Sequence, residues 1–435
     1  MSQVRTITKT TSLQGEVRVP GELRRAAQAF WLAAISEGDS RFDCVPPSAA
    51  ATLDILEGLG VSVTRDDGNV TVSGVGLRGL SQSQGVVDLD VPDEAALPAL
   101  AILSQQAFVS RVRIAPVCRE AALQLLGLLA RTGAAGVEEV PHLLRLDGTE
   151  SSSGVNHKES DLSGPVKLGL LTAGLFGDGP TTVRESLSSK DRVDGLLKAR
   201  GVGVEGSRQA DPTVRTMTLT PGESPQALDV DIPGDLTRAL PFIVAALSVR
   251  RADVIVRRVM LRFENRVFVD IVRQIGAELE IVDNDDGCVD LVLKGSGHMK
   301  STRVADKRAH SLLDHVALLA VLATQTEGEF IIRDVELLRQ GEYDFIVHLA
   351  NLLRAIQAKV GEYSYGLVID GGRPLQGARI ETRSHPGLVQ AFAVAGLVAS
   401  GDMDIEDTEC VDPVFPGFFD QLDALRSPKK REKTS

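Results

Sequence analysis

Apolar residues recur along this chain in a fixed succession. A short strand ends in a polar turn, an Ala/Leu-rich helix follows, and a strand with alternating apolar residues closes the unit. The succession first reads GEVRVPGELRRAAQAFWLAAISEGDSRFDCV. It returns as VDLDVPDEAALPALAILSQQAFVSRVRIAPV, ESDLSGPVKLGLLTAGLFGDGPTTVRE, LDVDIPGDLTRALPFIVAALSVRRADVIVRRV, HSLLDHVALLAVLATQTEGEFIIRDV and ETRSHPGLVQAFAVAGLVASGDMDIEDTECV. The turns fall at Pro20, Pro92, Ser163, Pro233, Asp314 and His385, spaced by 72, 71, 70, 81 and 71 residues. After each of the first five units comes a second helix, with apolar spacing of three and four, and then a hairpin with a period of two. ATLDILEGLGVSVTRDDGNVTVSG and VFVDIVRQIGAELEIVDNDDGCVDLVLKG are examples, and their DDGN and NDDG turns carry the Asp-Gly chemistry of a tight hairpin. The last unit is cut short after PVFPGFFDQLDAL, which still predicts its second helix.

A repeat of about 70 residues is too long for a solenoid and suits a βαβαββ subdomain. Six of them predict an α/β protein of two domains with three repeats each. An ordinary doubly wound α/β protein would explain the elements but not their regular spacing.

Length supports the division, since 435 residues exceed one ordinary core. Hydrophobic residues at 43% and charged residues at 24% fit a soluble globular protein. No apolar run reaches the roughly 18–20 residues of a membrane span, and MSQVRTITKTTSLQGEV lacks the apolar core of a signal peptide. A cytoplasmic monomer without membrane contact is the expectation. A net charge of −12 argues against a nucleic-acid surface. The basic tail Ser427–Ser435, SPKKREKTS, has nothing apolar to bury and reads as a disordered, solvated end. Aromatics are only 4%, with Trp31 the single tryptophan, so the cores must be built from Ala, Val, Leu and Ile. Small-residue helices of that kind suit a bundle packed inside a shell of sheets. Cys44, Cys118, Cys288 and Cys410 form no C-x-x-C pair and read as buried, reduced thiols. No dinucleotide fingerprint, P-loop or metal-ligand spacing appears, so neither a cofactor nor a metal is expected.

LQGEVRVPG with its Ala-rich helix and SEGDSRF resembles the opening of the enolpyruvyl transferases, in the branch of 5-enolpyruvylshikimate-3-phosphate synthase. SSKDRVDGLLKARGVGVE, LLDHVALLAVLATQTEGEFIIRDVELLR, LQGARIETR, AFAVAGLVASGDMDIED and VDPVFPGFF continue the likeness in the family's order, from about Leu13 to Leu425. The resemblance implies a two-domain inverse α/β barrel with a small-molecule substrate in the cleft between domains. It also implies crossings near Val17–Pro20 and Leu228–Ile232, so that residues 1–18 with 230–435 form one discontinuous domain and 19–229 the other.

The family's reaction brings two anionic substrates together, which requires lysines and arginines as charge-assisted donors. Most are replaced here. The V-P-G-D-K-S-x-S-x-R motif reads VPGELRRAAQ: Leu23 stands for the lysine, Arg24 for the serine and Gln28 for the arginine. Arg24 or Arg25 is positioned to offer a guanidinium, although out of register. The N-S/A-G-T turn reads VPDEAALP, and Asp93 and Glu94 would repel a phosphate. Arg119 matches the next arginine, and S-A-Q-V-K reads Ser163-Gly164-Pro165-Val166-Lys167. L-R-V-K-E-S-D-R becomes Leu338-Arg339-Gln340-Gly341-Glu342-Tyr343-Asp344-Phe345, and D-H-R becomes His385-Pro386-Gly387. With Pro413 in place of a lysine found in some members, six family cations are missing.

The acid-base carboxylates persist as Asp314 and Glu342, with His315 beside the former. Asp314 could equally cap the following helix, and Glu342 could be an exposed loop charge. Catalytic candidates are therefore Asp314, Glu342 and His315. Substrate-binding candidates are Arg24, Arg119, Ser163, Lys167, Arg339 and His385. His142, His157, His298, His310 and His348 read as surface or packing residues. Acid-base groups that persist while phosphate-binding cations are replaced suggest a lyase (dehydratase). It would remove water from a shikimate-type cyclohexene carboxylate or its thioester, as family homologues do in natural-product pathways. The alternatives are a carboxyvinyl transferase on a shikimate-3-phosphate-like or other acceptor, and a non-catalytic binding module.

Overall fold

The computed structural model describes residues 3–426 apart from 67, 90–95, 160–161, 187–193, 209–212, 223, 263–264, 285–286 and 296. The Pro92 turn with Val91, Asp93 and Glu94, the SSKDR segment, and the basic tail lie outside the described residues. The chain divides into two compact units, Gly21–Ile232 and Met1–Pro20 with Pro233–Ser435.

In the unit Gly21–Ile232, three helices form the centre: Leu23–Ala34, Leu97–Ser104 and Gly164–Gly174. Every residue of the latter two is buried, as expected of helices apolar on all sides. Around them stand three open sheets, each with its own hairpin: Ser62–Asp66 with Asn69–Val75, Gly136–Val140 with Leu143–Leu146, and Val204–Arg208 with Val214–Leu219. The second unit repeats the plan. Its central helices are Leu236–Ser248, Val316–Thr324 and Pro386–Gly396. Its hairpins are Leu279–Asp283 with Val289–Lys294 and Lys359–Tyr363 with Gly366–Asp370. Among the described residues the sixth repeat has no hairpin of its own, and the strand Arg5–Ile7 pairs antiparallel with Met403–Ile405.

The expected barrel is not formed. Among the described residues each sheet stays open, with five strands at most. The outermost hairpin strands, such as Ser62–Asp66 and Leu279–Asp283, are largely exposed. A barrel needs an unbroken ladder of hydrogen bonds around its circumference, and here the ladder ends at each hairpin.

The first strand of each half is exchanged. Ser12–Val17 pairs parallel with Arg251–Met260 of the fourth repeat, and Val230–Asp231 pairs parallel with Glu37–Asp43 of the first. Each exchanged strand leads into a Pro-Gly step where the backbone approaches closely. A Cβ on Gly21 would lie 2.4 Å from the Cys44 carbonyl oxygen and 2.5 Å from Ile232 Cγ2; one on Gly234 would lie 2.6 Å from Val19 Cγ2. The next residue caps a central helix. Glu22 accepts from the Arg25 amide at 2.9 Å and Asp235 from the Thr237 amide at 2.8 Å. Of the four thiols, Cys118 and Cys288 are buried, whereas Cys44 and Cys410 are only half-buried, which corrects the expectation for those two.

Candidate functional site

In the unit Gly21–Ile232, the candidates sit at the starts of helices. Arg24 is half-buried on the first turn of Leu23–Ala34 and is already engaged. Arg119 opens the outer helix Arg119–Leu129 and grips Glu138 with both arms, Nε at 2.8 Å and a terminal nitrogen at 2.5 Å. That grip holds the Glu138 carboxyl down at about 2. Ser163 precedes Gly164–Gly174 without capping it, and its hydroxyl is buried with no partner among the described residues. Lys167, on the same helix, is 3% exposed with Nζ 3.7 Å from the Glu185 carboxylate.

In the other unit the structure brings Asp314, His315 and His385 together. Asp314 lies in the single turn Leu313–His315 before the helix Val316–Thr324 and does not cap it; its side chain is exposed. His315 keeps part of its surface open while its ring is crowded by protein. Burial pushes it down to about 4, against the opposing pull of the Asp314 carboxylate and with a push from Arg238. His385 caps Pro386–Gly396 by accepting the Leu388 amide on Nδ1 at 3.3 Å. Its ring therefore carries the proton on Nε2, and burial lowers its pKa while the Asp314 charge raises it.

Glu342 belongs to a neighbouring group. It is exposed on the loop before Phe345–Ala355 and stands beside Tyr343, whose phenol is raised by burial, lowered by Arg383 and raised again by Glu342. The Arg383 guanidinium lies 4.7 Å over the Tyr343 ring, and His348 meets that ring edge-on at 5.5 Å. Phe345 connects the two groups, with its ring 5.0 Å from His385 and 6.4 Å from Tyr343. Arg339 is taken up by the fold. It binds Asp344 at 2.6 Å, the Tyr363 carbonyl at 2.6 Å and Glu362 at 3.2 Å, which ties down the loop that carries Glu342.

Sequence reasoning missed Arg238, Tyr343 and His348. Arg238 was signalled by the repeat register, since IPGDLTR places it where VPGELRR has Arg25. His348 follows Phe345 by three residues and so shares its helix face. Among the described residues no group of three or more His, Cys, Asp or Glu is placed to hold a metal ion, and no helix is long and apolar enough to cross a membrane.

Buried helices within open sheets, with ionisable groups gathered at the helix starts, define a six-repeat α/β protein with enzyme-like sites. The family profile of EPSP synthase (3-phosphoshikimate 1-carboxyvinyltransferase) matches residues 7–114 and 123–422. The chain belongs to that family. It is 31% identical to the 3-phosphoshikimate 1-carboxyvinyltransferase of Syntrophotalea carbinolica over 98% of this chain and 100% of that protein. The enzyme of the same name from Synechococcus sp. is also 31% identical, over 95% and 97% of the two chains. The EPSP synthase structure from Acinetobacter baumannii shares the fold, with a TM-score of 0.73 at 24% identity and 98% of both chains covered.

These matches overturn the dehydratase expectation. The family and the relatives compared are carboxyvinyl transferases, and nothing among them supports loss of water as the reaction. Replaced cations do not by themselves imply replaced chemistry, since removing donors from an anion site changes affinity before it changes the class of reaction. Arg119 falls in the stretch that the family profile leaves unmatched, between 114 and 123.

Proposed function

We propose that this chain transfers the enolpyruvyl (carboxyvinyl) group of phosphoenolpyruvate to a ring hydroxyl of an acceptor of the shikimate-3-phosphate type. The observation that carries this reading is the match along nearly the whole of both chains to 3-phosphoshikimate 1-carboxyvinyltransferase. In this chemistry the hydroxyl oxygen bonds to C2 of phosphoenolpyruvate while C3 gains a proton. C3 then gives up a proton, and the C2–O bond to phosphate breaks. Such a sequence needs one group to take the hydroxyl proton and another to exchange protons at C3. We assign the first to Asp314 and the second to Glu342. His315, kept neutral by its surroundings, is a proton acceptor near Asp314, and His385 offers an Nε2–H donor. Ser163 and Lys167 are assigned to the acceptor's anionic group, with Arg24 as a further cation. Arg119 and Arg339 are committed to carboxylates of their own units and are left out of the site.

The test is a phosphate-release assay with phosphoenolpyruvate and shikimate-3-phosphate together, alongside calorimetric titration with each. Phosphate released only when both are present is the expected result, with weaker phosphoenolpyruvate binding than a site with its cations intact would show. No phosphate release at millimolar concentrations of both would overturn the reading.

A further inference from the structure

Strand Thr181–Ser186 turns Thr181, Val183 and Glu185 into the interior of its unit, so a carboxylate occupies a core position. A glutamate with no exposed surface persists only where opposite charge meets it. Here two cations do. Arg215 donates from Nε to one Glu185 oxygen at 2.5 Å, and Lys167 places Nζ 3.7 Å from the other. Arg215 also lies 3.7 Å from Asp194, which is bonded to Lys198 at 2.6 Å. Among the described residues three cations thus face two carboxylates. The Lys167 ion pair is longer than a hydrogen bond, so it attracts the ammonium without saturating its three N–H donors. Ser163 stands four residues earlier, hence on the same face of the helix start, with its buried hydroxyl unpartnered among the described residues.

We propose that Glu185 is a positioning residue: braced by Arg215, it holds the Lys167 ammonium directed, with the Ser163 hydroxyl, at the acceptor's anionic group. The identity of the ligand rests on the transferase reading; the clamp itself does not. Glu185→Gln keeps the shape and removes the charge. Without its carboxylate partner the Lys167 amine is no longer held in the ion pair, so its acetylation by acetic anhydride at pH 8, followed by peptide mass spectrometry, should accelerate about tenfold. Glu185→Asp, which retains the charge, should return it toward wild type. In calorimetry the Kd for shikimate-3-phosphate should rise about tenfold in Glu185→Gln and less in Glu185→Asp. The Kd for phosphoenolpyruvate should stay within about twofold. Unchanged Lys167 acetylation overturns the clamp. Equal weakening of both ligands with a lower Tm overturns the positioning role in favour of a structural one. Faster acetylation in a protein whose wild type ignores shikimate-3-phosphate keeps the clamp and removes the acceptor, and with it the transferase reading.

Discussion

Single side chains in this protein are held by two opposite strategies. Glu185 is buried among cations, whereas Arg200 is 1% exposed and bonded to neutral oxygen atoms. Its guanidinium donates to Ser36 Oγ, Ser40 Oγ, the Gln226 carbonyl and the Ala29 carbonyl at 3.1–3.3 Å. Burial pushes Arg200 down to about 10, so it stays charged at neutral pH. Arg200→Ala would orphan those acceptors and should cost about 3 kcal/mol or more in urea unfolding; a loss under 1 kcal/mol would show that water replaces the guanidinium. The replaced cations belong to the same scale. Gly341→Lys with Phe345→Arg, on the loop before one helix and at its first residue, puts back two charge-assisted donors, each worth about 1.5–3 kcal/mol. The Kd for phosphoenolpyruvate should fall at least tenfold by calorimetry. An unaltered Kd would mean that these positions do not face the phosphate.

Helix starts are the elements that organise the chemistry. Asp235, Asp344 and His385 cap helices of one unit with their side chains, while Asp314 and His315 open another without a cap bond. The uncapped turn leaves Asp314 exposed and crowds His315, and this sets a pH dependence. His315 titrates at about 4 in the folded chain against an ordinary 6.5. The unfolded chain therefore binds more protons between these values, and stability must fall as pH drops through that window. Above about 6.5 the contribution is complete, and its loss by pH 4 should be on the order of 2–3 kcal/mol. Denaturant titrations at pH 7.5, 5.5 and 4.5 should show a smaller acid loss in His315→Gln than in wild type. Parallel curves would mean that the ring is solvated. Burial lowers His348 and His385 too, so the variant flattens the dependence without removing it.

For the whole molecule the telling feature is that remote parts of the chain complete one another's sheets. Ile7, 1% exposed on the strand Arg5–Ile7, packs on the last repeat nearly 400 residues later. Ile7→Ala should therefore cost about 2–4 kcal/mol in urea unfolding, and a change under about 1 kcal/mol would show that the last sheet holds without it. The sequence by itself determined the repeat, because the period of about 70 residues, the Ala/Leu helices and the Asp-Gly hairpins are local signals. It also placed Asp314, His315 and Lys167 at helix starts, since turn and helix periodicity mark those positions. It did not reveal which strands pair. GEVRV reads as the first strand of the first repeat but hydrogen-bonds in the sheet of the fourth. Nor did it reveal Glu185 as a buried charge, Arg339 as a loop tie, or that the sheets stay open. Strand partners, charge pairs and sheet edges are set by contacts between residues far apart in sequence, and no local pattern encodes them. Only the tertiary structure, where those contacts compete for the same neighbours, decided them.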